Sequence, residues 1–183
     1  NAGGPGSLWD GATFQRLHSL PGEDGGVYRV SYSPDGRRVA GAGKDNFVRV
    51  WDTATGELLL EFPAHGGGVT GNLFQGVLDV AFSPDGSRLA TAGADGLAKM
   101  WDAATGRELL TLVGHTDSLY SLAFSPDGRY IATSSDVEDT TVKVWNAQTG
   151  EEIYTLSGHV ARVWGLAFSP DSSMLVTGGA RGI

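Results

Sequence analysis

Four segments of the chain share a pattern of apolar positions that is typical of buried β-strands. They read VYRVSYS (27–33), VLDVAFS (77–83), LYSLAFS (119–125) and VWGLAFS (163–169). Each one alternates or runs apolar, as a strand covered by neighbouring layers does. A Pro-Asp turn follows each copy, since Pro presets the backbone and the Gly that usually comes next accepts a positive φ. The pattern predicts four inner strands that each end in a tight turn.

The sequence after each turn predicts further strands in a constant order. The second strand of the repeat follows the turn directly, as in SRLATAG (87–93) and RYIATSS (129–135). An Asp-containing turn then leads to a third strand that closes on Trp, as in LAKMWD (97–102). A Thr-Gly turn leads to an outer strand, as in ELLTLVGH (108–115). No segment shows a sustained period of 3.6 residues, so we expect an all-β chain with negligible helix.

The Trp residues that close the third strands define a repeat. Trp9, Trp51, Trp101 and Trp145 are separated by 42, 50 and 44 positions. The longest step contains an insertion, VTGNLFQG (69–76), and removing its eight residues restores a spacing of 42. Two extra residues around Val137 and Glu138 account for the step of 44. A period of about 42 is in the range of four-stranded propeller blades.

The order GH, SPDG, Asp and VWD within each repeat resembles the WD40-repeat β-propeller family, from about Leu8 to the C-terminus. The resemblance implies an all-β fold, a β-propeller whose four-stranded antiparallel blades surround a central channel. Residues 8–183 contain four blades' worth of sequence. The segment NAGGPGS (1–7) is assigned to a linker or an expression remnant and is excluded from the fold.

The resemblance also implies a buried hydrogen-bond relay in each blade, running from Asp to His to Ser or Thr and ending at the Trp indole. Such a relay leaves few buried polar groups unpaired. Two blades carry complete sets: His65, Thr91, Asp95 and Trp101, and His115, Thr133, Asp139 and Trp145. The other two depart from the pattern, because Glu23 and Gly41 replace His and Thr in one and Arg181 replaces Asp in the other. We expect those two blades to be less rigid.

These hydroxyl, imidazole and carboxylate groups are interpreted as structural, and no catalytic, cofactor-binding or metal-binding residue is assigned. The set recurs from blade to blade, whereas a catalytic triad occurs once and needs an accessible nucleophile with an oxyanion hole. The four His residues are scattered and cysteine is absent, which argues against a metal site. The Gly-rich segments open no predicted helix, so a phosphate cradle is not expected. The sequence predicts a protein that is not an enzyme.

Composition narrows the class of partner. The 183 residues carry a formal net charge of −8, whereas nucleic acids and anionic membranes recruit Lys and Arg patches. No apolar run approaches the ~18 residues of a membrane helix, and no signal peptide is visible. We therefore expect a protein or peptide partner, no nucleic acid and no membrane. The absence of cysteine leaves the compartment open, and we expect a cytoplasmic protein.

The two ends of the sequence match complementary parts of one repeat. The chain begins on the tail of a third strand, SLWD (7–10), and ends after a second strand, SMLVTGG (173–179). Alignment of the repeats puts Trp9 at the relay position that belongs with His159 and Thr177, so the resemblance implies one blade shared between the termini.

Three interpretations of the ring stay open. The chain is a fragment of a longer propeller or of a larger regulatory protein, a half-ring that a second copy completes to about eight blades, or a ring that closes alone. The second interpretation makes a homodimer, and a structural self-assembly module, the alternative function hypothesis.

Both insertions fall on the propeller face that members of the family most often use for peptide partners. On that interpretation Leu73 and Phe74, within 69–76, are apolar anchors. The same insertion also fits a tolerated variation in length. A third alternative is an engineered site, because LFQ before Gly resembles a viral protease cleavage sequence.

The same face contains the remaining candidate binding residues. The resemblance places four inner-strand side chains at the channel rim, with three charged residues near them: Tyr28, Leu78, Tyr120 and Trp164, and Arg162, Lys44 and Glu138. Aromatic and Arg side chains are typical of binding hot spots, although inner-strand aromatics also simply fill a channel wall. We expect a non-enzymatic interaction scaffold that binds a peptide or protein segment over the channel mouth.

Overall fold

The chain folds into antiparallel β-sheet. The structure, a computed structural model, describes residues 6–20, 26–67 and 75–180. Strands are the only regular elements in these ranges, which confirms the all-β prediction, and the described residues include no helix able to cross a membrane. The strands are β1 (Gly6–Trp9), β2 (Arg16–Leu20), β3 (Val27–Tyr32), β4 (Arg38–Gly43), β5 (Phe47–Asp52), β6 (Leu58–Pro63), β7 (Val77–Phe82), β8 (Arg88–Gly93), β9 (Ala98–Asp102), β10 (Glu108–Leu112), β11 (Leu119–Phe124), β12 (Tyr130–Ser135), β13 (Val142–Asn146), β14 (Glu152–Leu156), β15 (Val163–Phe168) and β16 (Leu175–Gly179).

Consecutive strands pair into three four-stranded antiparallel sheets, which we call blades. Blade 1 contains β3–β6, blade 2 contains β7–β10 and blade 3 contains β11–β14. The first strands of neighbouring blades contact one another and form the inner edge of the assembly. Two further sheets have two strands each, β1–β2 and β15–β16. The prediction of four-stranded antiparallel blades is confirmed for blades 1 to 3.

The hydrophobic core lies between the blades. Val48 and Phe62 of blade 1 pack on Val80 and Trp101 of blade 2, and the ring centroids of Phe62 and Trp101 are 4.9 Å apart. A second cluster of the same kind joins blades 2 and 3. Burial of apolar surface stabilises by about 25 cal/mol per Å², so blade-on-blade contact is the main force holding the sheets together.

Two arginines join neighbouring blades on the side of the Pro-Asp turns. Arg38 donates from Nη1 to the Ala103 carbonyl at 3.0 Å and from Nη2 to the Gly86 carbonyl at 2.9 Å, both in blade 2. Arg88 repeats the link one blade further on and donates to the Ala147 carbonyl at 2.8 Å. Because charged donors make the stronger hydrogen bonds, these contacts help to fix the angle between blades.

The two-stranded sheets pack against different blades. Leu20 of β2 packs on Val39 and Trp51 of blade 1, whereas β15 lies beside β11 and β12, and the Val163 carbonyl accepts the Ser134 hydroxyl at 3.0 Å. Among the described strands, no pairing joins β1 to β16. The described blades therefore form an open arc, and the blade shared between the termini stays a prediction.

The first strand begins slightly before the boundary predicted at residue 8. Gly6 and Ser7 pair with Leu20 and Ser19 in the β1–β2 ladder. The reason is the partner strand, which is long enough to continue the ladder past Leu8.

Candidate functional site

The structure brings together the four relay side chains predicted in blade 2. The hydroxyl of Thr91 accepts the Trp101 indole N–H at 2.9 Å and lies 2.7 Å from His65 Nε2. On the other side of the ring, His65 Nδ1 lies 2.9 Å from Asp95 Oδ1. The Asp95 carboxylate also accepts the backbone N–H of Gly66 at 3.1 Å. Each polar atom of the imidazole and hydroxyl thus has a partner inside the core.

Blade 3 contains the second relay with the same connections. The Trp145 indole donates to Thr133 Oγ1 at 2.8 Å, and Thr133 Oγ1 lies 2.9 Å from His115 Nε2. His115 Nδ1 lies 2.7 Å from Asp139 Oδ2, which also accepts the Thr116 N–H at 2.9 Å. Thr133 and Thr91 are fully buried, so neither hydroxyl is accessible to a substrate. Both relays are structural.

The environment of the blade 3 relay fixes its charges. Burial lowers the pKa of His115 below its ordinary value of 6.5, although the bond to Asp139 opposes that shift. Burial alone would raise the pKa of Asp139. Hydrogen bonds from Thr141, the Thr116 N–H and His115 together outweigh burial and lower the pKa of Asp139 below 3.8. At neutral pH a neutral imidazole therefore faces a charged carboxylate.

Blade 1 replaces the relay with tight packing. The Trp51 ring fills the space where other blades have Thr, since a Cβ added at Gly41 would lie 2.7 Å from Trp51 Cζ3. Among the described residues, the buried Trp51 indole N–H has no hydrogen-bond partner. Asp45 instead pairs with Arg49 at 2.7 Å, and Arg49 also pairs with Glu61 at 2.5 Å.

The β15–β16 sheet carries half of a relay. His159 Nε2 lies 2.8 Å from Thr177 Oγ1. Trp9, which the repeat alignment assigns to this relay, lies in the separate β1–β2 sheet and is largely exposed. Arg181, at the position of the relay carboxylate, lies outside the described residues, as does Glu23 of the first repeat.

The four inner-strand side chains predicted at the rim line a single cavity of about 190 Å³, together with Arg29. We call it the rim cavity. Each of the four is the second residue of its strand, so the rim cavity lies at the end where the inner strands begin. Leu78 and Tyr120 are buried, whereas Tyr28 and Trp164 are each nearly half exposed. An incoming side chain can therefore contact aromatic surface on a floor that is already packed.

Arg162 reinforces one side of the rim cavity. Its guanidinium carbon lies 4.2 Å from the ring centroid of Tyr120 and 4.7 Å from that of Trp164. Two of its nitrogens bind the carboxylate of the buried Asp136, at 2.5 and 2.9 Å. The rings of Tyr120 and Trp164 meet edge to face, with centroids 5.4 Å apart. Burial, with help from Asp136, raises the pKa of the Tyr120 hydroxyl, so this tyrosine stays neutral.

Other predicted positions are less closely associated with the rim cavity. Lys44 and Glu138 are exposed and do not line it. Asp136 of blade 3 occupies the position that Ala94 has in blade 2. The Ala94 N–H donates to the Gly76 carbonyl and the Asp136 N–H donates to the Ser118 carbonyl, each at 3.0 Å, and both carbonyls lie just before an inner strand. The two extra residues of this turn therefore follow Asp136 rather than precede it. Leu73 and Phe74 lie outside the described residues.

Three residues of this region were not singled out from the sequence. Arg29 lines the rim cavity and Asp136 holds Arg162. Asp79 is largely buried, which raises its pKa, and its carboxylate accepts the N–H groups of Val80 at 2.9 Å and Leu122 at 3.0 Å, tying β7 to β11. An acidic residue in the middle of the apolar segment VLDVAFS was the available signal.

The described part of the chain does not assemble a metal site. No group of three or more His, Asp or Glu side chains there is close enough to hold an ion. What the arrangement offers chemically is an apolar, aromatic concavity with one fixed cation, Arg162, stacked on two of its rings, which is suited to binding side chains.

Comparison with known proteins agrees with this architecture. A sequence profile described as WD domain, G-beta repeat, matches four times, at residues 14–52, 56–102, 106–146 and 150–182. The human U5 small nuclear ribonucleoprotein 40 kDa protein is 42% identical over 43 residues, which are 24% of this chain and 12% of that protein. WD repeat-containing protein 1 of Rattus norvegicus is 32% identical over 59 residues, 31% of this chain and 10% of that protein.

A third relative, the periodic tryptophan protein 2 homolog of Dictyostelium discoideum, is 32% identical over 63 residues, 34% of this chain and 7% of that protein. The chain thus matches only about a tenth of the length of these relatives. The four profile matches cover most of the sequence at the observed blade period, and they coincide with strands that carry the relay residues. The chain belongs to the WD40 repeat family.

Proposed function

We propose that the protein is a non-enzymatic interaction scaffold that binds a peptide or protein segment at the rim cavity. The observation that carries the proposal is the convergence of Tyr28, Leu78, Tyr120 and Trp164 on one concavity. These residues come from four different sheets, so the concavity exists only when the blades are packed together. Aromatic side chains in such a pocket are the usual anchors of protein interfaces.

Preorganisation supports the proposal. Arg162 is stacked on two aromatic rings and held by two bonds to Asp136. Binding therefore requires little ordering of this side of the cavity, and side-chain ordering is one of the main costs of association. The exposed faces of Tyr28 and Trp164 remain available for contact.

Charge and the relatives support a protein or peptide as the partner. A net charge of −8 disfavours a nucleic acid backbone as the ligand. One relative is named as a protein of a small nuclear ribonucleoprotein. Membership in a repeat family with such relatives supports a scaffold that binds proteins.

Selection from a displayed library of random peptides tests the proposal. We expect enriched peptides with aromatic or large aliphatic residues, because these fill an apolar cavity. Trp164→Ala and Tyr28→Ala should each weaken the selected peptides by about thirtyfold, equivalent to about 2 kcal/mol for a hot-spot residue. The measurement is the dissociation constant of each peptide by calorimetry.

A matched control distinguishes the cavity from general stickiness. Val113→Ala removes an exposed apolar side chain that follows β10 and does not line the rim cavity. It should leave peptide affinity unchanged. Peptides that bind all three variants as well as they bind the unsubstituted chain would place the binding surface elsewhere.

A second candidate function is self-assembly, in which a second copy completes the ring. The observation that favours it is the pair of two-stranded sheets, which are complementary halves of a blade at opposite ends of the arc. Unpaired strand edges readily accept another strand, and an isologous dimer would satisfy both ends at once. Sedimentation equilibrium of the 183-residue chain tests this candidate, since a mass of twice 19.1 kDa supports it and a monomer at all concentrations contradicts it.

A further inference from the structure

We propose that a cavity between the Pro-Asp turns of blades 2 and 3 binds an arginine side chain of a protein partner. We call it the junction cavity. Its volume is about 180 Å³, and it is lined by the turns that follow β7, β11 and β13 together with Arg88 and Phe124. The inner strands end there, so the junction cavity lies at the end opposite the rim cavity. The proposal does not rest on the function proposed for the rim.

The junction between blades 1 and 2 shows which group fits the equivalent position. There the guanidinium carbon of Arg38 lies 5.2 Å from the ring centroid of Phe82. Its two terminal nitrogens donate to the carbonyls of Ala103 and Gly86, at 3.0 and 2.9 Å. Stacking on a ring and donation in its own plane both suit a planar cation. This position of the fold therefore accommodates a guanidinium between an aromatic ring and a glycine carbonyl.

The junction between blades 2 and 3 has the same ring and carbonyl but a different arginine contact. Arg88 is the residue equivalent to Arg38, and it donates only to the Ala147 carbonyl, at 2.8 Å. Among the described residues, no cation lies over the Phe124 ring and no donor binds the Gly128 carbonyl. The two groups that Arg38 contacts in the first junction have their equivalents in the lining of the junction cavity.

The Pro-Asp turns of blades 2 and 3 lie further apart than those of blades 1 and 2. A Cβ added at Gly86 would lie 3.4 Å from Pro34 Cδ, whereas one added at Gly128 would lie 4.0 Å from Pro84 Cδ. The resulting cavity of about 180 Å³ is smaller than the ~300–1,000 Å³ of sites that enclose whole small molecules. It is therefore suited to a single side chain.

A contact on the far side of blade 3 accounts for the wider spacing. The Asp127 N–H donates at 3.1 Å to Ser172 Oγ of the β15–β16 sheet, which packs on blade 3. Ser172 occupies the position that is glycine in the other three turns, namely Gly36, Gly86 and Gly128. Because glycine has no side chain to accept this hydrogen bond, the turn of blade 2 is not tied to blade 3 in the same way.

The charges around the junction cavity favour a cation. Asp85 and Asp127 line it. Hydrogen bonds, chiefly from Ser83 to Asp85 and from Ser125 to Asp127, lower the pKa of each carboxyl group below 3.8. Both carboxylates are therefore charged at neutral pH, and together they outweigh the positive charge of Arg88 in the same lining.

The geometry favours arginine over lysine. A guanidinium is planar, stacks on aromatic rings and donates in several directions, whereas an ammonium is a compact and strongly hydrated point charge. The junction cavity offers the ring of Phe124 and the carbonyl of Gly128. It also contains the amide of Gln148, whose oxygen can accept a further bond, at a position that is Ala104 in blade 2. A partner's arginine would thus have both a stacking surface and hydrogen-bond acceptors.

An NMR titration of the isotope-labelled chain tests the proposal. The probe is a blocked pentapeptide with one arginine between alanines. We expect saturable shifts of the Gly128 backbone and Gln148 side-chain N–H signals, with a dissociation constant of about 1–10 mM for a single side chain. The Gly86 signal should stay unchanged, because Arg38 already fills the equivalent position. An unchanged Gly128 signal at about 50 mM peptide, or equal shifts at Gly86 and Gly128, would overturn the proposal.

Two matched peptides identify the group that binds. Citrulline keeps the shape of arginine and removes its charge, so we expect it to bind at least about tenfold more weakly. Lysine keeps the charge and removes the planar group, so we expect a smaller loss of about three- to fivefold. Equal affinities of the arginine and citrulline peptides would exclude recognition of a cation. Tighter binding of the lysine peptide would exclude recognition of a guanidinium.

A matched pair of variants tests the aromatic contact. Phe124→Leu removes the ring but keeps an apolar side chain, and it should weaken the arginine peptide about tenfold. Phe82→Leu makes the same change in the other junction, outside the junction cavity, and should leave the affinity at Gly128 unchanged. Equal losses in the two folded variants would exclude stacking on Phe124 and, with it, the proposed site.

Removal of Arg38 provides a test by gain of binding. Arg38→Ala takes the guanidinium away from the ring of Phe82 and the carbonyl of Gly86. We expect the arginine peptide then to shift the Gly86 signal as well as the Gly128 signal. The dispersion of the remaining signals reports whether the variant is folded. A folded Arg38→Ala chain whose Gly86 signal does not respond would overturn the equivalence of the two junctions on which the proposal depends.

Discussion

At the residue scale, the relays show how a polar group is tolerated in the centre of a blade. Thr133 is fully buried, and its hydroxyl is paired with both His115 and the Trp145 indole. A buried polar atom without such partners costs about 1–3 kcal/mol. Blade 1 has Gly41 in place of Thr, and the Trp51 N–H has no hydrogen-bond partner among the described residues.

This difference between blades predicts unequal effects of the same substitution. Trp145→Phe and Trp51→Phe remove the same atoms from equally buried sites, but within the described part of the chain only Trp145 donates a hydrogen bond from its indole. We expect Trp145→Phe to lower the free energy of unfolding by about 1 kcal/mol more than Trp51→Phe does. Urea denaturation of both variants measures the difference. Equal losses would show that the relay hydrogen bond contributes nothing to stability.

The charges of the blade 3 relay predict a dependence of stability on pH. His115 has a pKa below 6.5 in the folded chain, so the unfolded chain binds the proton more tightly. The contribution of the neutral His115 to stability is therefore fully present above about pH 6.5. It is lost as the pH decreases through the folded pKa, by at most about 1.4 kcal/mol per pH unit. Asp139, whose pKa is also lowered, adds a second loss that begins near pH 3.8.

Substitution separates the two steps. His115→Gln should reduce the loss of stability that begins near pH 6.5, while preserving the loss from Asp139 that begins near pH 3.8. Thermal unfolding measured from neutral pH to below pH 3.8 follows both losses. A His115→Gln variant with the same pH profile as the unsubstituted chain would show that this imidazole is not the group responsible.

At the element scale, the angle between blades depends on apolar packing and on the arginine links. Arg88 donates across the blade boundary to a backbone carbonyl at 2.8 Å. Arg107 is exposed, and its side chain makes no such link. We expect Arg88→Met to lower the free energy of unfolding by about 1–2 kcal/mol and Arg107→Met to change it by less than about 0.5 kcal/mol. Chemical denaturation compares the two, and an equal effect would exclude the link as a stabilising contact.

Much of the element structure could be predicted from the sequence because the repeat supplies independent anchors at a fixed spacing. The Pro-Asp turns mark the end of each inner strand, and the Trp residues mark the end of each third strand. The structure has strands that end at these positions. The position of Asp136 could not be predicted, because an insertion of two residues fits equally well before or after it. The links made by Arg38 and Arg88 were also missed, since they depend on how neighbouring blades approach one another.

The rim shows the same division between local and long-range information. The repeat makes Tyr28, Leu78, Tyr120 and Trp164 equivalent positions. The family resemblance implied that they lie at the rim, and the structure places all four on one cavity. The pairing of Arg162 with Asp136 was not predictable, because it joins neighbouring sheets through the geometry of a turn. Ring closure is the least predictable feature, since it depends on contacts between the two ends of the arc rather than on any repeat.

At the scale of the whole molecule, the open arc leaves a core surface without a cover. Val30 occupies the position that is buried as Val80 in blade 2 and as Leu122 in blade 3. Val30 is exposed because blade 1 lies at the end of the arc and no other described blade covers its inner strand there. A charge at Val30 should therefore be harmless to the isolated chain and harmful to any assembly that covers this face.

Paired substitutions turn this argument into a measurement. We expect Val30→Glu to change the free energy of unfolding of the dilute monomer by less than about 0.5 kcal/mol, while abolishing the dimer in sedimentation equilibrium. Val80→Glu, the same change at an equivalent position that is buried, should unfold the chain, because an unpaired buried carboxylate costs several kcal/mol. If Val30→Glu unfolded the dilute chain as Val80→Glu does, the inner strand of blade 1 would be covered within a single copy, and the arc would already be closed.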